Sequence, residues 1–104
     1  MALRVKVCHV ADIVDGQMRA FQVSGVTWPV IVTRVDGELF AVPGVCPHED
    51  VALWNGDLDG TIITCPGHAY EFDMRTGTCK HDRDLHLRRY KVTVIGDEVW
   101  ADLL

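Results

Sequence analysis

The sequence predicts an all-β domain, and three observations predict it. Short runs rich in Val, Ile, Thr and aromatic residues recur along the chain, Gly, Pro and Asp turn signals separate them, and little room is left for a helix. The opening residues Leu3-Arg4-Val5-Lys6-Val7 alternate apolar and basic side chains, so residues 3 to 9 read as a first strand rather than as a targeting segment, which would need an apolar core. Ala11 to Gly16 reads as a turn or a single helical turn. Residues 18 to 24 and 28 to 35 read as strands joined around Gly25, and Asp36-Gly37 is a hairpin signal leading into a strand over 38 to 42. Thr61-Ile62-Ile63-Thr64 reads as another strand, followed by a short one near 70 to 73 and a turn at Thr76-Gly77. A terminal hairpin is expected from residues 86 to 95 and 98 to 103 around Gly96-Asp97. Trp28, Phe40 and Trp100 read as core or sheet-face residues.

The 104 residues read as one domain (1–104), large enough for a modest core and too short for a metal centre plus a separate catalytic domain. Hydrophobic residues make up 48% and charged residues 24%, an ordinary globular balance, and no apolar run approaches a membrane span. A cytoplasmic protein that avoids the membrane is the expectation. No repeat, linker or low-complexity segment interrupts the pattern.

The chemistry concentrates in two boxes, Cys46-Pro-His48 and Cys65-Pro-Gly-His68, separated by sixteen residues. Each pairs a thiolate with an imidazole, and together Cys46, His48, Cys65 and His68 supply four metal ligands. Ligand chemistry alone leaves zinc and iron-sulfur as candidates. The order helps to decide: structural zinc sites usually pair Cys with Cys and His with His, whereas two arms that each bring one sulfur and one nitrogen suit a dinuclear cluster. Both boxes follow predicted strand ends, so the strands beneath can fix the loops while leaving the ligand tips at the surface.

Through these ligands, and through Leu53-Trp54-Asn55-Gly56, Cys65-Pro66, Phe72-Asp73 and Thr76-Gly77, the chain resembles the Rieske family, in particular the small ferredoxins of bacterial oxygenases. The resemblance implies a Rieske fold of small antiparallel sheets, with one Rieske 2Fe-2S cluster held by two loops at one tip, within residues 44–78 or so. It implies that Cys46 and Cys65 bind an inner iron and His48 and His68 an outer iron. Neutral histidines favour reduction of their iron more than anionic thiolates do, so the added electron resides on the histidine side.

The function implied is that of a soluble one-electron carrier, not itself an enzyme. It would take electrons from an NAD(P)H-dependent flavoprotein ferredoxin reductase and pass them to a terminal oxygenase of aromatic-compound degradation. A monomer suffices for this role. The alternatives are the small Rieske-like subunit of an assimilatory nitrite reductase, a structural zinc module, and a redox sensor, the last lacking a DNA-binding motif or basic patch.

Further expectations concern the surroundings of the ligands. Respiratory members of the family place an extra Cys in each box and hydroxyl donors two and four residues after the second histidine; this chain has Val51 and Gly67 at the former positions and Tyr70 and Phe72 at the latter. Hydrogen bonds to sulfur stabilise the reduced state, so a potential toward the low end of the Rieske range is expected. Relatives often carry a proline in the loop after Thr-Gly, but residues 79 to 84 contain none, which leaves cluster shielding open; Arg83, Arg88 and Arg89 are candidate compensating groups. Trp54 reads either as cover for the cluster or as an exposed anchor for a partner. Cys8 and Cys79 read as reduced bystanders, the former buried and the latter partly exposed, and His9, His81 and His86 as solvated or packed.

No Lys or Arg occurs between Arg34 and Arg75, a segment holding Asp36, Glu38, Glu49, Asp50, Asp57, Asp59, Glu71 and Asp73, in a chain of formal charge −5. Acids around the boxes steer toward basic surfaces and away from nucleic acid. Glu49, Asp50, Asp57 and Asp59 are the expected guides to basic partner patches.

Overall fold

The computed structural model describes residues 3–48, 50–67 and 69–103. Among the described residues, nine strands form three antiparallel three-stranded sheets. The first sheet joins β1 (Arg4–His9), β9 (Glu98–Asp102) and β8 (Lys91–Ile95), with β9 in the middle. A bulge between Lys6 and Cys8 shifts the β1 register; such an insertion bends the strand and increases its local twist. A single 3-10 turn, Val10–Asp12, follows.

The second sheet is β2 (Met18–Phe21), β3 (Val30–Val35) and β4 (Glu38–Pro43). β3 lies between two partners and is covered on both faces, which is why Val30-Ile31-Val32-Thr33 is apolar without alternation and fully buried. Thr33 is the exception in that run, and its hydroxyl is satisfied by donating to the Gln17 carbonyl at 2.7 Å. The β3–β4 link confirms the hairpin signal: Asp36 and Gly37 take φ of 52° and 81°, the left-handed pair of a type I′ turn, and Val35 pairs with Glu38.

The third sheet is inserted between β4 and β8 and consists of β5 (Asp57–Asp59), β6 (Ile62–Thr64) and β7 (Glu71–Asp73). Two apolar clusters hold the molecule together. One lies among β1, β3, β9 and neighbouring loops (Cys8, Val30, Val32, Val99, Ala101); the other joins the second and third sheets (Ile31, Val42, Leu53, Ile63, Phe72, Met74, Leu87).

Several boundaries differ from expectation. β2 stops at Phe21, and the chain from 22 to 29 is irregular apart from turns; Val23 nonetheless packs into the first cluster. Residues 86 to 90 are not a regular strand, making only isolated bridges from His86 to Thr78 and from Tyr90 to Ala41. β5 and the 3-10 turn Leu53–Asn55 were not anticipated. Trp28 and Trp100 are half-buried, whereas Phe40 is in the core. No helix among the described residues is long and apolar enough to cross a membrane.

Candidate metal centre

The first ligand box lies on the loop from β4 to β5. Gly44 starts it by donating to the Pro29 carbonyl at 2.8 Å. A Cβ on Gly44 would stand 2.6 Å from that oxygen and 2.9 Å from Cζ3 of Trp54, so only glycine lets the two backbones and the indole meet. The loop then closes as a narrow hairpin: Val45 bridges Ala52, the Leu53 amide donates to the Gly44 carbonyl at 2.9 Å, and the Cys46 amide donates to Val51 at 3.0 Å. Leu53 is fully buried and anchors the returning limb. Trp54 half-buries itself, its ring tilted at 59° to Trp28 with centroids 6.2 Å apart. Half-buried rather than an exposed anchor, it packs with Gly44 and Trp28 at the base of the loop, against the core that holds Cys46 and Cys65.

The second box follows β6 and is built by the same device. The Cys65 amide donates to the Tyr70 carbonyl at 2.8 Å, so in both loops the cysteine N–H is closed by the residue five positions later. Ala69 also donates to the Cys65 carbonyl at 3.0 Å and adopts φ of 58°. A left-handed conformation costs an L-residue with a Cβ about 1–2 kcal/mol, so this turn is held by its surroundings rather than by local preference. The two loops touch through Gly56, where an added Cβ would collide with the Thr64 carbonyl oxygen, one residue before Cys65.

Phe72-Asp73 and Thr76-Gly77 support the second loop from below. Phe72 is fully buried. The Asp73 carboxylate accepts from the Thr61 hydroxyl and the Arg75 amide, each at 2.9 Å. Gly77 takes φ of 84°, with an imagined Cβ 2.5 Å from Nε2 of His86 and 2.6 Å from the Leu87 carbonyl, so the turn packs as closely as glycine permits. Cys79 continues from it, bridging Phe72, and is buried rather than partly exposed.

Cys46 and Cys65 are 3% and 0% exposed and belong to one hydrophobic cluster, while His48 is exposed at the loop tip. None of the four cysteines is in a disulfide, and all four are buried. Of the four expected ligands, His68 lies outside the described residues, as does Glu49 of the expected acidic guides. Two buried soft thiols on rigidly closed loops, with an imidazole at the surface, fit the mixed donor set of a Rieske cluster.

Two ring contacts were missed by sequence reasoning. Tyr70 stacks on His48 with centroids 4.2 Å apart and planes at 28°, and His81 tilts against Tyr70 at 5.5 Å and 34°. In the sequence Tyr70 stands only where respiratory members of the family carry a hydroxyl donor, and nothing local signals its partner on the other loop. His81 is held by Glu71, Nε2 to Oε2 3.5 Å, with Lys80 on the same carboxylate at 3.8 Å. The loop after Cys79 therefore contributes a histidine to the ring row. Arg88 and Arg89 serve elsewhere: Arg88 lies over Tyr90, and Arg89 donates to the Arg75 carbonyl at 2.6 Å.

The acids divide by role. Glu38 pairs with Arg75 at 3.0 Å, and Glu71 and Asp73 have the local partners described above. Asp50, Asp57 and Asp59 are exposed and enter no ion pair among the described residues.

Residues 4–91 match the family model described as Rieske [2Fe-2S] domain. The biphenyl 2,3-dioxygenase ferredoxin component of Rhodococcus jostii (strain RHA1) is 36% identical over 104 residues, covering 99% of this chain and 94% of that protein. Among solved structures, a ferredoxin of Sphingomonas yanoikuyae B1 superposes with a TM-score of 0.86 at 33% identity, covering 98% of this chain and all of that one. A chain from the complex of reduced oxygenase and oxidised ferredoxin in carbazole 1,9a-dioxygenase gives 0.84 at 31% identity, over 95% of this chain and 92% of that one.

Proposed function

The chain belongs to the Rieske 2Fe-2S domain family, and from that premise we propose that it is the ferredoxin component of a bacterial oxygenase system for aromatic compounds. It takes single electrons from an NAD(P)H-dependent flavoprotein reductase and delivers them to a terminal oxygenase, as a cytoplasmic monomer of one domain without catalysis of its own. We assign Cys46, His48, Cys65 and His68 as the ligands of its one cluster. When bound, that group supplies a one-electron couple and, with all four protein ligands in place, offers no open position to a substrate.

The observation that supports this reading best is the unequal exposure of the ligands. Cys46 and Cys65 share a core with Leu53 and Phe72, which keeps water from their sulfurs. His48 presents its ring to solvent, where a partner can approach without any opening of the domain. Asp50 lies in the first ligand loop and Asp57 pairs with Thr64, the residue before Cys65; with Asp59 these exposed acids would steer the molecule toward basic patches. The relative at 36% identity is named as a dioxygenase component, which favours a shuttle over the small subunit of a nitrite reductase.

The test is reconstitution of the chain of transfer. Cluster-loaded protein is mixed with NADH and a flavoprotein reductase of an aromatic dioxygenase system, then with the terminal oxygenase and its substrate. Bleaching on the first addition and substrate-dependent recovery on the second support the proposal. A protein that accepts electrons from dithionite but exchanges none with either partner, while copurifying with a larger reductase subunit, sinks it.

A further inference from the structure

Tyr70 belongs to the second ligand loop, yet its ring lies on the ligand of the first. Its carbonyl accepts the Cys65 amide at 2.8 Å, and the next residue, Glu71, pairs with Thr64 at the start of β7. The phenol is thus tied by backbone on both sides to the frame that carries Cys65. From that frame it stacks on the exposed ring of His48, centroids 4.2 Å apart, and meets His81 at 5.5 Å. His81 is itself tied to the same strand through Glu71 at 3.5 Å.

The torsion between Cβ and an imidazole ring is broad and roughly two-fold, so the side chain by itself sets the ring plane only weakly. Metal ligation needs one nitrogen aimed in one direction, and the groups around a ligating histidine usually supply that aim. A parallel ring supplies it by a different means than a hydrogen bond: it restricts the plane and leaves the nitrogens unengaged.

We propose that Tyr70, backed by His81, is the positioning residue for the His48 ligand, acting through its aromatic ring and not through its hydroxyl. The inference rests on the four-ligand reading above. It predicts that Tyr70 ties the two ligand loops together at the exposed His48, as Gly56 does at Thr64, so that loss of the ring loosens that histidine.

The test compares cluster-loaded parent protein with Tyr70→Phe, Tyr70→Leu and His81→Ala. Two readouts are used: the nitrogen hyperfine couplings of the two imidazoles by pulsed EPR of the reduced protein, and the rate of iron release to a ferrous chelator. Tyr70→Phe should match the parent in both, within about twofold in rate, because the ring is retained. Tyr70→Leu should change the coupling of one imidazole and speed iron release about two- to tenfold, the range expected for losing an aromatic contact. His81→Ala should change the same coupling by less. Unchanged couplings and release rate in Tyr70→Leu would overturn the proposal, and so would a Tyr70→Phe that behaves like Tyr70→Leu, since the hydroxyl would then be the active group. If Tyr70→Leu fails to hold a cluster, His81→Ala decides: a shift in one coupling supports the role and none overturns it. Failure of the ligand assignment itself is distinguishable, because the parent would then lack two strong imidazole couplings before any variant is compared.

Discussion

Replacing Gly56 by alanine tests how the two ligand loops are locked together. The new methyl would run into the Thr64 carbonyl oxygen, with the Thr64 carbonyl carbon at 3.0 Å and Cδ of Pro66 at 3.1 Å. These are backbone and ring atoms, not the end of a flexible side chain. Thr64 cannot retreat cheaply either, because it is paired on one side with Asp57 and on the other with Glu71. The first loop must therefore lift off the second, and overpacking of this kind typically costs about 1–3 kcal/mol. That is a sizeable part of the 5–15 kcal/mol or so by which a domain is stable. For a chain near 100 residues it corresponds to a fall in Tm of roughly 4–20 °C. Gly60→Asn is the control: Gly60 has positive φ, 58°, nothing lies within 4 Å of its imagined Cβ, and Asn tolerates that conformation. Thermal melts of the cluster-loaded proteins at one scan rate, followed by far-UV circular dichroism, give the comparison. A Gly56→Ala melt within about 2 °C of the parent would refute the claim that Gly56 is there for close approach.

The other predictions concern charge, protons and potential. Burial, with a smaller push from Asp12, raises the Cys8 thiol from 9.0 to about 11. The folded chain therefore holds this proton more tightly than the unfolded one; the stability it contributes is complete below pH 9 and is lost as pH rises toward 11. The loss is on the order of 2 kcal/mol, and denaturant titrations should show a shallower decline over pH 9 to 11 in Cys8→Ala than in the parent; equal declines would contradict it. Neutralising Asp50, Asp57 and Asp59 together to Asn should slow electron transfer to the oxygenase severalfold to about tenfold at low salt and flatten its salt dependence; an unchanged salt slope would remove these acids from docking. Phe72, fully buried, has no hydroxyl to donate, and the ring of Tyr70 is committed to His48. Protein-film voltammetry should accordingly find a potential in the lower half of the Rieske range of roughly −150 to +300 mV, and a value near the top would mean that donors to sulfur come from elsewhere.

What the sequence made legible was local. Asp36-Gly37 announces its turn because only a few residue types tolerate the two left-handed positions it needs, and the Cys-Pro boxes stand out because thiolate and imidazole at short spacing are rare outside metal sites. β5 escaped because Asp57-Leu58-Asp59 is three residues long with two acids, and its strand character comes from pairing with β6 rather than from propensity. The strand expected over 86 to 95 loses its first half to tertiary context, since Leu87 donates to Gly77 and Tyr90 to Ala41, not to a continuous ladder. Trp54 meets Trp28, and Tyr70 meets His48, across separations that no local pattern reports. Gly44 reads as an ordinary loop glycine, and Gly56 only as the end of a family motif, until the atoms facing them are known.

The central claim, that two thiols and two imidazoles of this chain hold one dinuclear iron-sulfur cluster, is tested most directly by spectroscopy. Protein reconstituted anaerobically with iron and sulfide is examined by absorption and low-temperature EPR before and after dithionite reduction, with iron and zinc quantified on the same sample. The account predicts a red-brown protein with two irons per chain and a reduced EPR signal whose average g lies below two, as expected for mixed Cys and His ligation. A colourless protein holding one tightly bound zinc would contradict it.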